Sequence, residues 1–239
     1  MGLADFRALT FDCYGTLIDW ETGLWTALQP LLVRVPALVP RDAALAAFAA
    51  QEAAQQAAAP DMPYRDLLAV VHGRLARFWG VAESPAEAAQ FGASIGNWPA
   101  FPDTVEALRF LKQRYRLVIL SNVDRDSFRA SNARLGTEFD AIHTAQDIGS
   151  YKPDPRNFAY LIEHLAADGI RRDQVLHVAQ SLFHDHAPAN AARLASAWIV
   201  RRADEGWGAT SAPPAGVRYD YRFPSLEAFA AACRDAVSG

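Results

Sequence analysis

Apolar and polar positions along this chain fall into two textures. Residues 6–11, Phe6-Arg7-Ala8-Leu9-Thr10-Phe11, form a short apolar run of strand length that ends at Asp12. Gly15 breaks it. From Trp20 to about Ser94 only helix-like stretches follow, over 20–34, 42–58, 64–79 and 84–95, with Pro or Gly between them. The stretch 43–59 is rich in Ala and Gln, good helix formers, and its flanking aromatics favour an ordered helix over a low-complexity tract.

After Asn97-Trp98-Pro99 helices and strands alternate. The reading is helix 104–114, strand 117–120, helix 125–135, strand 141–144, helix 155–168, strand 175–178, helix 187–194 and strand 197–200. A stretch rich in Gly and Pro over 203–216 precedes a strand near 219–222 and a final helix. Leu117-Val118-Ile119-Leu120 is a continuous apolar run of the kind buried on both faces of a parallel sheet. The pattern predicts an α/β fold: a Rossmann-like, doubly wound parallel sheet core carrying an inserted all-helical cap. The core is read as residues 1–15 plus 99–239 and the cap as 16–98, with no internal repeat.

Composition narrows the function. The 239 residues are 51% hydrophobic and 21% charged with a net charge of -4, and Lys and Arg are scattered, so no basic stripe offers itself to nucleic acid. No apolar run approaches the roughly 20 residues of a membrane span. The start, Met1-Gly2-Leu3-Ala4-Asp5-Phe6, lacks a basic and an apolar leader region, and Phe6 stands where myristoylation wants Ser or Thr. Cys13 and Cys233 make no disulfide framework and no zinc-type cluster, so a reducing cytoplasm is expected. Cys13 reads as an inert buried thiol, because no His lies near it in sequence and Asp12 is the more natural attacker. A small polar substrate fits best, and the oligomeric state stays open, a homodimer included.

Ligands of an open parallel sheet bind beyond the carboxyl ends of its strands. The loops there carry Asp12-Cys13-Tyr14-Gly15-Thr16, Ser121-Asn122, Ser150-Tyr151-Lys152-Pro153 and Gln180-Ser181-Leu182-Phe183-His184-Asp185. Each element alone is weak. The ordered set brings a carboxylate, a hydroxyl with an amide, a lysine and a second carboxylate to one rim.

Phe11-Asp12-Cys13-Tyr14-Gly15-Thr16-Leu17-Ile18-Asp19 resembles the first motif of the haloacid dehalogenase superfamily, and the other three loops resemble its second, third and fourth. The likeness spans nearly the whole chain. It implies that Asp12 is a nucleophile, that Lys152 steadies negative charge, and that Ser121 orients substrate. Attack by a carboxylate splits one hard displacement into two steps, and the lysine supplies preorganised positive charge.

Two positions point away from the phosphatases of that superfamily. Tyr14 stands where they usually place a second Asp as general acid, and a phenol of pKa about 10 is a poor donor to an alkoxide. Gln180 stands where metal-dependent members usually carry an acid, which weakens a Mg²⁺ site. The Asp-x-Tyr-Gly-Thr form resembles the metal-independent L-2-haloacid dehalogenases, with departures. Those enzymes have Tyr at the position of Phe158, Ser and Asn at Gln180 and Leu182, and a halide-binding Arg in a cap helix whose counterpart, 48–56, has none. Arg41, just upstream, is not equivalent.

A closer resemblance is to the azetidine-2-carboxylate hydrolases of that branch. It rests on the run from Asp12 to Gly23, on Asn97-Trp98-Pro99-Ala100-Phe101-Pro102-Asp103, and on Ser181-Leu182 with His184-Asp185-His186. These enzymes open a strained ring by displacing nitrogen at the α-carbon, and a cationic nitrogen wants an acceptor rather than Arg. Glu52, with Gln51, Gln55 or Gln56, is the candidate.

The expected function is displacement of a leaving group from the α-carbon of a small carboxylic acid through an aspartyl ester, by ring opening or dehalogenation. The expected catalytic set is Asp12, Lys152, Asp185 and Ser121, and the expected substrate-binding set Tyr14, Thr16, Trp20, Glu52, Trp98, Asn122, Gln180 and His184. No cofactor is expected; the alternative is Mg²⁺ held by Asp12 and Asp185 in a phosphatase. A non-catalytic binding protein on the same fold is the other rival. Thr16 reads equally as a helix cap, His184 and His186 as local hydrogen-bonders, and Glu52 as a solvated helix residue.

Overall fold

The structure is a computed structural model that describes residues 2–202, 212 and 214–238. Strands β1 (Ala8–Phe11), β2 (Arg116–Ser121), β3 (Ala141–Thr144), β4 (Val175–Ala179), β5 (Ala195–Ile199) and β6 (Tyr221–Phe223) form one parallel sheet in the order β3-β2-β1-β4-β5-β6. All four residues of β1 and all five of β4 are buried. A strand covered on both faces needs apolar side chains in both directions, which is why these runs do not alternate. β1 and β4 are paired in register, Thr10 opposite His177.

Helices α1 (Trp20–Leu32), α2 (Arg41–Ala58), α3 (Tyr64–Phe78) and α4 (Pro85–Gly92), with a 3-10 turn at Ala93–Asn97, make up the cap. Asp19 caps α1 by accepting from the Thr22 N–H, and Ser84 caps α4 by accepting from Glu87 N–H. The cap has its own apolar centre, where Phe48 packs against Trp20 and Phe91 with ring centroids 6.2 Å apart in each pair. Helices α5 (Thr104–Lys112), α6 (Arg125–Leu135), α7 (Ala145–Ile148), α8 (Pro155–Ala167), α9 (Ala187–Ala191) and α10 (Leu226–Ser238) belong to the sheet domain. Asp124 and Asp154 cap α6 and α8, and Gly136, at φ 61°, ends α6 in the left-handed region.

The two crossings between sheet and cap run side by side. Asp19 N–H donates to Pro99 O at 2.8 Å and Phe101 N–H to Leu17 O at 3.0 Å. Gly23 is required there, because a Cβ would lie 2.3 Å from Trp98 Cγ. No helix among the described residues is long and apolar enough to cross a membrane.

Some boundaries differ from expectation. Strand β5 begins at Ala195 rather than 197, and helix α9 stops at Ala191 rather than 194. The short α7 and a π-helical turn at Leu182–His186 carry no sequence period of their own. Trp207 and most of the 203–216 stretch lie outside the described residues.

Candidate active site

Asp12 follows the last residue of β1, where its carboxylate is received by groups from two other loops. Thr16 Oγ1 donates to Asp12 Oδ2 at 2.8 Å and accepts from Gln180 N–H at 2.9 Å. This hydroxyl is fully buried and ties the first loop to the fourth. Gly15, at φ 97°, makes the turn; a Cβ there would stand 3.1 Å from Trp20 Nε1 and 3.4 Å from Gln180 Oε1.

Lys152 reaches the same carboxylate from the loop after α7. Asn122 brackets its backbone: Lys152 N–H donates to Asn122 Oδ1 at 2.7 Å, and Asn122 Nδ2 donates to Lys152 O at 3.0 Å. The ammonium donates to Asp12 Oδ1 at 2.9 Å, Leu120 O at 2.9 Å and Asp185 Oδ1 at 2.6 Å, which uses all three of its hydrogens. Asp185 is brought there by the π-helical turn, where both Asp185 and His186 N–H donate to Ser181 O. Its Oδ1 also meets His177 Nε2 at 3.0 Å, while Oδ2 is buried with no partner in the protein.

Burial pushes Asp12 above the ordinary carboxylate range, against the pull of Lys152. Burial acts the same way on Asp185, but Lys152 and the His177 hydrogen bond outweigh it and hold the group below that range. For Lys152 the two carboxylates overcome desolvation and keep the ammonium charged. The anion at Asp185 therefore anchors the lysine, and Asp12 is the more basic of the two carboxylates.

Above this floor lies a cavity of about 80 Å³. Tyr14, Asn122, Gln180, Ser181 and His184 line it from the sheet domain, and Trp20, Glu52, Gln56 and Tyr64 from the cap. Tyr64 donates to Glu52 Oε1 at 2.5 Å. Burial raises Glu52 to about 7, against the Tyr64 hydrogen bond. His184 is lowered to about 4 by burial and so is neutral at physiological pH. Trp20 and Gln180 also border a larger cavity of about 490 Å³ that is lined by Arg41 and Arg201.

Several residues stand differently from the sequence expectation. Thr16 does not line the small cavity; it holds Asp12 from below. Trp98 is buried behind Tyr14, ring centroids 5.7 Å apart, with Nε1 donating to Ser94 Oγ, and is likewise not on the cavity wall. Tyr14 presents its ring, but its hydroxyl lies 2.8 Å from Ser131 Oγ and burial raises its pKa well above the usual phenol value. Asn122 lines the cavity with its amide already engaged by Lys152. Ser121 is buried, its Oγ without a partner, and is not on the wall. His186 is fully buried between Ala179 O and Ser196. Gln55 faces Met62, whereas Gln56 reaches the cavity. Cys13, by contrast, stands as expected: its thiol is buried and pushed well above its ordinary pKa. His177 and Thr10, absent from the expected site, are joined to it through Asp185.

The donor set does not fit a Mg²⁺ centre. Both oxygens of Asp12 are engaged by Thr16 and Lys152, Lys152 bridges the two carboxylates, and Gln180 supplies no charge. Among the described residues no group of three His, Cys, Asp or Glu is arranged to hold a metal.

The fold is shared with solved proteins. The chain superposes on the L-2-haloacid dehalogenase from Xanthobacter autotrophicus with chloropropionic acid covalently bound, at a TM-score of 0.78, 19% identity, and coverage of 96% of this chain and 98% of that one. A defluorinating L-2-haloacid dehalogenase, Rha0230, gives 0.77 at 22% identity, covering 96% and 95%. The HAD-hydrolase YfnB from Bacillus subtilis, bound to magnesium, gives 0.77 at 17%, covering 96% and 99%. At such identities the likeness is one of fold. No curated protein matches the chain. A family model described as haloacid dehalogenase-like hydrolase matches residues 6–192, so that with its sheet, cap and four ordered loops the chain belongs to the haloacid dehalogenase-like hydrolases.

Proposed function

We propose that this chain is a metal-independent hydrolase of small α-substituted carboxylic acids, that it works through an aspartyl ester on Asp12, and that its substrate is azetidine-2-carboxylate. One observation carries the choice of substrate. Facing Asp12 and Lys152 across the cavity, the cap offers Glu52 bonded by Tyr64, and no Arg lines that cavity among the described residues. A departing halide needs a donor or cation, whereas an ammonium nitrogen needs an acceptor. Lys152 is not free to cradle a halide, since its three hydrogens are taken.

The ring nitrogen arrives as a secondary ammonium and donates to Glu52. An Asp12 oxygen bonds to the α-carbon while the carbon–nitrogen bond breaks, and the electron pair stays on nitrogen, which leaves as a neutral amine still tethered to the ester. Gln180, which lines the cavity from the sheet domain, is assigned to the substrate carboxylate. Water then adds to Asp12 Cγ and the bond from Cγ to the substrate oxygen breaks. One water hydrogen reaches that oxygen by way of Asp185 Oδ2 and the other ends on the amine. The product is 4-amino-2-hydroxybutyrate.

The second reading is dehalogenation of a 2-haloacid, favoured by the fold likeness to L-2-haloacid dehalogenases; it uses the same nucleophile with halide as leaving group. The test is a turnover screen of chelator-treated protein and Asp12→Asn with azetidine-2-carboxylate, L-2-chloropropionate and a phosphate ester. Expected is product from the azetidine alone, abolished in Asp12→Asn. Halide release would favour the second reading. Phosphate release on adding Mg²⁺ would replace both, and no turnover with no adduct would leave a binding protein.

A further inference from the structure

Polar contacts around Asp185 continue past the cavity into the sheet. Thr10 on β1 and His177 on β4 are cross-strand neighbours with no solvent exposure. His177 Nε2 lies 3.0 Å from Asp185 Oδ1, and Nδ1 lies 2.8 Å from Thr10 Oγ1. An ionised carboxylate can only accept, so Nε2 carries a hydrogen and donates it. Phe158 packs edge-on against the imidazole, centroids 5.0 Å apart, and gives it no polar contact. Buried polar groups in the middle of an apolar sheet are costly unless each is paired. Here both ring nitrogens are paired, and neither His177 nor Thr10 reaches the cavity.

The consequence falls on Asp185. Its Oδ1 is held twice, by Lys152 at 2.6 Å and by His177 at 3.0 Å. Rotating the carboxylate breaks both contacts. Oδ2 is left buried and unpartnered on a residue that lines the cavity. We infer that His177, steadied by Thr10, is a positioning residue that locks Asp185 so that its second oxygen stays free for the water that opens the Asp12 ester. The inference rests on the aspartyl-ester reading above. In that step Asp185 Oδ2 takes a hydrogen from water as the water oxygen bonds to Asp12 Cγ, and the hydrogen passes to the substrate oxygen released from Cγ. The first step does not need His177, because Lys152 and Thr16 hold Asp12 directly.

The test separates the two steps by rapid quench and mass measurement of the Asp12 peptide. In His177→Leu, ester formation stays close to wild type while its hydrolysis slows about 10²-fold, the scale of a small misplacement of a reacting group. The adduct then accumulates. His177→Gln, which restores an N–H near the Nε2 position, recovers most of the loss, and Thr10→Val slows hydrolysis less than His177→Leu does. Equal slowing of both steps, a fall in melting temperature with unchanged hydrolysis, or no recovery by Gln overturns the inference. The reading beneath it is checked separately with Asp185→Asn. If that variant and the wild type turn substrate over without any adduct on Asp12, the ester mechanism itself fails, whatever His177 does.

Discussion

Lys152 Nζ stands closer to Asp185 Oδ1, at 2.6 Å, than to Asp12 Oδ1, at 2.9 Å. The cation is thus held more closely by Asp185 than by Asp12, the proposed nucleophile. Lys152→Met removes the only cation of this buried cluster among the described residues and leaves two carboxylates facing each other in a dry site. Breaking a buried pair from one side costs about 3–5 kcal/mol. The expected outcome is loss of turnover with a fall in unfolding free energy of that size, read from a lower denaturant midpoint. A variant that keeps wild-type stability would show that the lysine is not the counter-ion of both acids.

Thr16 has the shorter task of orienting Asp12. Its hydroxyl donates to Oδ2 while Gln180 N–H fixes the hydroxyl from the other side. Thr16→Val keeps the shape and deletes a hydrogen bond to a charged group, worth about 1.5–3 kcal/mol. If that is felt in the transition state, kcat falls roughly 10- to 10²-fold, with KM little changed, and Thr16→Ser restores it. A rise in KM at constant kcat would instead put the hydroxyl on the substrate.

Much of this site is legible in the chain, for a physical reason. A parallel sheet sends the ends of its strands to one rim, so the residues after Phe11, Ser121, Thr144 and Ala179 meet there whatever the details of packing. Asp12, Lys152 and Asp185 come out together by that rule. What stays hidden depends on contacts between strands or on side-chain direction. Thr10 and His177 sit inside apolar runs, where a lone polar residue carries no signal until the β1–β4 register sets the pair side by side. The Tyr14 hydroxyl turns toward Ser131, and Trp98 packs on the bare face of Gly23; neither direction is written in local spacing. The β5 and α9 boundaries differ from the sequence pattern because Arg193, at φ 57°, turns the chain there without a glycine to mark it.

Gly23 offers a test of the crossing between sheet and cap. A methyl there would meet three atoms of Trp98 at 2.3–2.6 Å, and the indole also packs edge-on against Tyr14. Gly23→Ala therefore forces Trp98 to move. Overpacking of this kind costs about 1–3 kcal/mol, and through Tyr14 it disturbs the cavity wall. The expected result is a lower melting temperature together with reduced turnover. Gly23→Ala with Trp98→Leu, which makes room for the methyl, recovers part of the stability.

Glu52 predicts how the protein answers to pH. Its folded pKa is about 7, raised from 4.5 by burial, against the Tyr64 hydrogen bond. A group with a raised folded pKa stabilises the fold fully below its unfolded value, and that contribution is lost as pH rises through the folded one. Stability should therefore fall between about pH 4.5 and 7 by a component that Glu52→Gln removes, visible as a flatter plot of melting temperature against pH. Turnover should run the other way. The ionised carboxylate is the stronger acceptor for a ring ammonium, so kcat/KM for azetidine-2-carboxylate rises as pH passes through about 7, and Glu52→Gln lacks that limb and loses activity. With a 2-haloacid the sign reverses, because a negative group beside a departing halide is unfavourable and the neutral acid is the better neighbour. One pair of pH profiles, native and Glu52→Gln, thus discriminates the two leaving groups by the direction of the slope.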